Sequence, residues 1–223
     1  MWNEFNIKTF PAETIVYRDG IFCPELSTLS EPMIDENMLL PVHIIYVGEI
    51  SGENNLEFSV PGPNQRVFMS VKIKNKLPAF LNIFIKNAGK NSEFRGGVVI
   101  ENQSKFNLNI TAQHLVPDSG ILIHTKLIAH DRSQSVLSGL AQIQATAENA
   151  VSDISFSALA APTAQIRFTP SQKIMAAPMA ADHNASIYRP TTAQINYLRG
   201  SGLSAMEIKD VLAQAFENDI NLF

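Results

Sequence analysis

The chemistry open to this chain centres on a short polar string, Ala181-Asp182-His183-Asn184-Ala185-Ser186, just ahead of Arg189-Pro190. A neutral imidazole binds iron and other transition metals, and the carboxylate of Asp182 beside it could orient the ring or share the ion. On residue type alone, a single histidine in a polar turn is more ordinarily a solvated or capping side chain. Cys23 is the one cysteine. Between Phe22 and Pro24 it reads as a small buried apolar residue. One thiol makes neither an intrachain disulfide nor a Cys-x-x-Cys metal site, which suits a reducing compartment. His114, His124 and His130 fall in a β-rich stretch. In His130-Asp131-Arg132 the arginine would pair the aspartate and repel a cation, so the triplet reads as a solvated turn.

Other chemistries find no template. There is no Gly-x-x-x-x-Gly-Lys-(Ser/Thr) loop and no Gly-x-Ser-x-Gly elbow, and Gly96-Gly97 alone does not cradle a phosphate. Nucleotide hydrolysis would belong to a partner. Glu93, Glu101, Asp118, Asp131 and Glu148 are scattered singly, whereas a β-helix acting on polysaccharide needs clustered carboxylates. That enzyme class is the weakest of the readings. A net charge of −4, with 17 Lys+Arg and no basic run interleaved with aromatics, argues against nucleic acid. No stretch reaches the roughly 18 apolar residues of a membrane span, and the amino end carries no signal-like run. The expectation is a cytoplasmic protein without membrane contact.

The elements that must position these residues are strands first and helices last. From Leu39 to about Phe168 short apolar runs alternate with polar residues: Val67, Met69, Val71, Ile73; Leu81, Ile83, Ile85; Phe106, Leu108, Ile110; Ile121, Ile123. This period of two marks half-buried strands. Three runs close on Ile73-Lys74-Asn75, Ile85-Lys86-Asn87 and Ile100-Glu101-Asn102. Loose repetition with asparagine at the corners favours stacked coils. Asparagine tolerates left-handed turns and can ladder from rung to rung, while Val and Ile stack into a continuous core. Pattern alone leaves a sandwich or jelly roll open. The Ala/Ser-rich stretch from Ala141 to Pro162 lacks a helical stripe and reads as further rungs.

After Pro190, Thr191 or Thr192 can cap a helix through Arg199, stopped by Gly200 and Gly202. Ser204 with Glu207 forms a capping box for a second helix, and Leu203 and Ile208 have staple spacing. Its stripe is Ile208, Val211, Leu212, Ala215, Phe216. The first 38 residues hold Pro11, Pro24 and Pro32 and read as an extended arm or strand pair.

Two segments carry a family resemblance. The order Asp182-His183-Asn184-Ala185-Ser186, then Gln194-Ile195-Asn196-Tyr197-Leu198-Arg199-Gly200-Ser201-Gly202-Leu203, is similar to the carboxyl end of the SufB/SufD scaffold family of the SUF iron–sulfur cluster assembly system. Thr14-Ile15-Val16-Tyr17-Arg18-Asp19-Gly20-Ile21-Phe22-Cys23-Pro24-Glu25-Leu26-Ser27 resembles the opening of SufD-type members. The resemblance implies an all-β chain with a helical C-terminus: a right-handed parallel β-helix followed by two short α-helices. It divides the chain into an arm at 1–38, a β-helix core at 39–188 and a helical segment at 189–223.

The resemblance also implies site residues. His183 falls on the histidine of a SufB-type Glu-His-Glu-Ala-Ser segment, with Asp182 and Asn184 on its two glutamates. In the SufD-type Cys-x-His-Gly-Ala pattern, Ala181 replaces the cysteine. Ser155 falls near the cysteine of cluster-building members. A serine takes no persulfide and is a poor iron ligand, so with Ser155, Ala181 and Asn184 at ligand positions no cofactor is expected on the chain alone. A transient iron–sulfur cluster shared with a partner remains, His183 lending one ligand across the interface. The implied partners are a SufC-type ATPase, gripped by the helical end through Tyr197, Leu198, Glu207, Ile208, Val211, Leu212 and Phe216, and a second copy or SufB/SufD paralogue joined edge to edge. The chain would be a scaffold and not an enzyme. The alternative is a family member that has left cluster chemistry and acts as a general protein-interaction module.

Overall fold

Alternating runs become strands that coil. The computed structural model describes residues 13–29, 34–38 and 40–218. Strands β3 (Val42–Glu49), β5 (Arg66–Asn75), β7 (Glu93–Asn102), β9 (Gly120–Ala129), β11 (Val151–Ala160) and β13 (Ala180–Tyr188) stack in parallel as one sheet, sheet A. Strands β4 (Gly52–Val60), β6 (Ala79–Asn87), β8 (Lys105–His114), β10 (Gln134–Ile143) and β12 (Gln165–Ile174) stack in parallel as sheet B. The chain alternates between the two sheets, so each coil contributes one strand to each face. The result is the parallel β-helix that the family resemblance implied, followed by helices α1 (Thr192–Gly200) and α2 (Ala205–Asn218). The stretch from Ala141 to Pro162 forms rungs, as its lack of a helical stripe implied. At the amino end β1 (Glu13–Arg18) extends sheet A beside β3, and β2 (Ile21–Phe22) turns back antiparallel on β1.

The core is the space between the sheets. One side chain in two points inward on each strand, so Val67, Met69, Val71 and Ile73 stack on Phe94, Val98 and Ile100 and then on Ile121, Ile123 and Leu127, all essentially without solvent. Sheet B answers with Leu81, Ile83, Ile85, Leu108 and Ile110. Gly139 keeps room in this core: a Cβ there would lie 2.8 Å from Ile154 Cγ2 and 3.0 Å from Phe156 Cζ.

The corner asparagines ladder between coils. Asn75, Asn87 and Asn102 are buried, and each side-chain amide donates to the backbone oxygen of the residue that opens a strand of the next coil: Lys105 at 3.3 Å, Gly120 at 3.1 Å and Gln134 at 2.9 Å. These bonds satisfy carbonyls that the corner takes out of the ladder. The left-handed turn positions are other residues, Asn64, Asn91, Asp118, Arg132 and Asn149. Asparagine's two uses at corners are thus divided between separate sites.

Candidate functional site

Residues 180–188 form strand β13, so the polar string around His183 is extended and its side chains alternate between faces. His183 is the register partner of Ile154, an inward residue 2 % exposed, whereas Asp182 pairs with Asp153 and Asn184 with Ser155 on the outward face. Successive strand residues point to opposite faces, so Asp182 and His183 do not converge on one ion. Sheet A ends at β13, and residues 182–189 are all exposed, which leaves the inward column open at this end. Ala181 follows the column of Ser152 and packs beside Ile143, Ala147 and Ala150. Among the described residues no group of three or more His, Cys, Asp or Glu is placed to hold a metal ion.

The outward face next to β13 carries a linked trio. His124 Nε2 lies 3.2 Å from Asp153 Oδ2, and Ser155 Oγ donates to Asp153 Oδ1 at 2.6 Å. Strand register puts His124, Ser155 and Asn184 in one row across β9, β11 and β13, with Asp153 and Asp182 in the row beside it. The hydrogen bond to Asp153 holds the His124 imidazole above its ordinary range, against partial burial. Partial burial pushes the Asp153 carboxyl up, but the bonds from His124 and Ser155 together outweigh it and leave it below the usual range. The carboxylate sits between the imidazole and the hydroxyl. An imidazole that activated Ser155 would have to touch its hydroxyl, and here the carboxylate stands between them, so this is not the serine–histidine–carboxylate order of a nucleophile and its general base. The trio is an exposed, charge-bearing surface within one strand spacing of Asp182 and Asn184.

The other histidines are structural. His130 Nε2 is 2.9 Å from Glu101 Oε1, which also takes Lys74 at 2.9 Å and Gln103 at 2.9 Å. The His130 bond, with help from Lys74 and Gln103 against the cost of burial, brings Glu101 down to about 2. Asp131 is not paired by Arg132: its oxygens take Lys209 of α2 at 3.6 Å and Thr163 Oγ1 at 3.1 Å, while Arg132 occupies a left-handed corner. Cys23 is buried, as read from its neighbours.

The helical end folds back over the outward face of sheet A. Thr191 caps α1 in a capping box with Gln194, and Ser204 and Glu207 exchange the two bonds of a capping box at 3.3 and 2.8 Å. Lys72 binds Glu217 at 2.6 Å, and Lys126 donates to the Phe216 carbonyl with its ammonium 5.0 Å from the Phe216 ring centroid. Lys72, Val99 and Lys126 are successive register partners on β5, β7 and β9. These ties and Lys209–Asp131 bracket the outward apolar residues Val99, Ile128 and Leu159, each under 9 % exposed. Ile208 is buried to 2 %, and Leu212 and Phe216 are half-buried. The inner stripe is therefore engaged by the chain itself. Exposed on the two helices are Tyr197 at 76 % on α1 and, on α2, Met206 at 72 %, Glu207 and, at the edge of the inner stripe, Val211 at 43 %; Leu198 is half-buried.

At the carboxyl end of the solenoid, β12 and β13 are terminal strands with Ile174, Met179, Ile187 and Tyr188 exposed around them. A sheet edge with free backbone groups and apolar neighbours is a template for another strand. His124 and Asp153 were not legible as site residues. Strand register brings them together: His124 lies opposite Ser155, two residues beyond Asp153 on the same outward face.

Residues 71–216, from β5 through most of α2, match the model of a family described as "SUF system FeS cluster assembly, SufBD core domain". No curated protein matches the chain. Among the described residues no helix is long and apolar enough to cross a membrane.

Proposed function

The chain belongs to the SufB/SufD family, and from that premise we propose that it is a scaffold or assembly partner in iron–sulfur cluster formation that docks a SufC-type ATPase. The observation that carries the docking reading is the set of exposed apolar side chains on the helical end. Tyr197 on α1 and Met206 and Val211 on α2 stand in solvent, while α2 is tied to sheet A through Lys72–Glu217 and Lys209–Asp131. Exposed apolar side chains beside Glu207 and Asp210 fit the helix-in-groove and polar-rim pattern of protein interfaces.

The second contact is edge-to-edge strand addition at β12 and β13, with another copy of this chain or a paralogue. There the cluster is cargo. Ser155 and Asn184 offer it no thiolate and no carboxylate, so ligands come from the partner, and His183 on the open inward column lends one imidazole. ATP hydrolysis belongs to the docked ATPase, and the protein works in the reducing cytoplasm. The serine at position 155 also suits a member that has left cluster chemistry for protein interaction alone.

Co-expression with a SufC-type ATPase, then size exclusion with light scattering, separates these readings. A complex formed by the wild type and lost in Tyr197→Asp/Met206→Asp supports docking by the exposed face. Absence of any complex with the ATPase contradicts it.

A further inference from the structure

The amino-terminal mouth of the solenoid carries a second open sheet edge with a different chemistry. β4 is the last strand of sheet B at this end, paired with β6 and with no partner on its other side among the described residues. Sheet A continues past it through β1, so among the described residues no strand stands opposite β1. Two adjoining cavities of about 320 and about 160 Å³ lie in that position. Both are lined by Tyr17, Glu57 and Phe58; Tyr46 and Leu56 line the larger, and Ile34 lies at the smaller.

The backbone of β4 is oriented for strand addition. Gly52 N donates to Pro78 O and Val60 O accepts from Ala88 N, so the even-numbered residues of β4 turn their peptide groups toward β6. In a strand the N–H and C=O groups alternate sides residue by residue. The groups of Glu53, Asn55, Glu57 and Ser59 therefore face the free edge. The side chains alternate as well: Asn54, Leu56 and Phe58 point into the groove, while Glu53, Asn55, Glu57 and Ser59 are exposed on the outer face.

Charge selects the occupant. Neither Glu53 nor Glu57 has a cation within ion-pair distance among the described residues, in contrast to Glu49, which takes Lys76 at 2.8 Å. Four residues apart on one face, the two carboxylates lie about 13 Å from each other along the strand. Inside the groove, Tyr17 and Tyr46 stack at 6.2 Å, and their rings with Phe58 offer apolar contact to inward side chains.

We propose that this edge binds an extended basic segment of a partner protein by strand addition. Lys or Arg residues four positions apart pair with Glu53 and Glu57, and apolar residues between them enter the Tyr17–Tyr46–Phe58 groove. Main-chain bonds to β4 supply affinity, and the two side-chain rows supply the choice of sequence. This inference does not depend on the ATPase docking proposed above, since it rests on the β4 edge of sheet B and that docking on helices tied to the outward face of sheet A.

The test uses the whole chain and a fluorescein-labelled decapeptide of alternating Val and Thr with two Lys four residues apart on the Thr face, read by anisotropy. A second peptide carries Glu in place of Lys. The wild type is expected to bind the Lys peptide saturably and at least tenfold more tightly than the Glu peptide. Glu53→Lys/Glu57→Lys is expected to reverse that preference. Asn55→Pro removes one free-edge N–H and leaves the β4–β6 main-chain bonds in place, losing only the side-chain bond that Asn55 Oδ1 accepts from Asn82; with Asn55→Ala as the control for that bond, Asn55→Pro is expected to lose both peptides and Asn55→Ala to keep them. No saturable binding to the wild type, or binding that neither variant alters, overturns the proposal. So does a dimer that light scattering finds in the wild type and not in Asn55→Pro, which would give the edge to a second copy of this chain.

Discussion

Ser155 and Asn184 are register partners on β11 and β13, side by side on the outward face of sheet A, while His183 occupies the inward column beside them. A hydroxyl and an amide are thus adjacent in space, and we propose that they stand where cluster-building members carry a thiolate and a carboxylate. Anaerobic titration of the purified chain with ferrous iron and sulfide is expected to give little charge-transfer absorption. Ser155→Cys/Asn184→Glu places a soft thiolate and a carboxylate at adjoining positions and is expected to raise that absorption several-fold. A strong, stable chromophore from the wild type alone would contradict the assignment of these positions.

Anchoring of α2 rests on charged contacts at the sheet surface. Replacing Lys126 with Ala removes both its bond to the Phe216 carbonyl and its approach to the ring. The expected loss is about 1 kcal/mol, felt locally. Hydrogen exchange should quicken across residues 205–217 and stay unchanged in β5 through β9. Uniform loss of protection would mean that α2 and the solenoid unfold as one unit.

Acid should weaken the fold in two separate windows. His114 is fully buried with Nδ1 3.0 Å from Ser119 Oγ, and burial lowers it to about 4, slightly offset by its bond to Ser119. Because the folded value lies below the unfolded one of about 6.5, the unfolded chain binds the proton first. Stability is full above pH 6.5 and falls as pH drops toward 4, by roughly 3 kcal/mol. Glu101, held at about 2, loses its contribution in the lower window, from about 4.5 downward. His114 is the register partner of Asn87, so His114→Asn keeps a polar corner and should flatten the urea midpoint between pH 6.5 and 4.5. An unchanged slope in that window would assign the acid loss to other groups.

Gly139 is required by the packing of Ile154 and Phe156. A methyl group at 2.8 Å from Ile154 Cγ2 forces that side chain or the strand to move. Gly139→Ala should cost about 1–3 kcal/mol in chemical denaturation, as overpacking does elsewhere. A neutral result would show that the last coils relax freely.

Much of the fold was legible because its signals are local. Alternation at Val67–Ile73 and Phe106–Ile110 marks strands, Ser204 and Glu207 mark the start of α2 by their hydrogen-bonding chemistry, and the start of α1 is read to Thr191 or Thr192, of which the structure takes Thr191. The site was less legible because the repeat is uneven: register partners are 27 residues apart at Asn55 and Asn82, 29 at Gln113 and Gln142, and 31 at Ser138 and Thr169. Drifting spacing hides which polar residues share a column, so the His124–Asp153–Ser155 trio emerges only in the coil. The string around His183 reads as a polar turn, yet as strand β13 it sends Asp182 and His183 to opposite faces. An amphipathic stripe such as Ile208–Phe216 says that something covers it. Only the placement of Lys72, Lys126 and Asp131 identifies the cover as sheet A.

The central claim is that the helical end docks an ATPase through Tyr197 and Met206. Calorimetric titration of a SufC-type ATPase into this chain tests it most directly, comparing the wild type with Tyr197→Asp/Met206→Asp at matched melting temperature. The account predicts saturable binding at one ATPase per chain and its loss, by at least tenfold in affinity, in the double variant. Equal binding by both proteins, or no binding to the wild type, would contradict it.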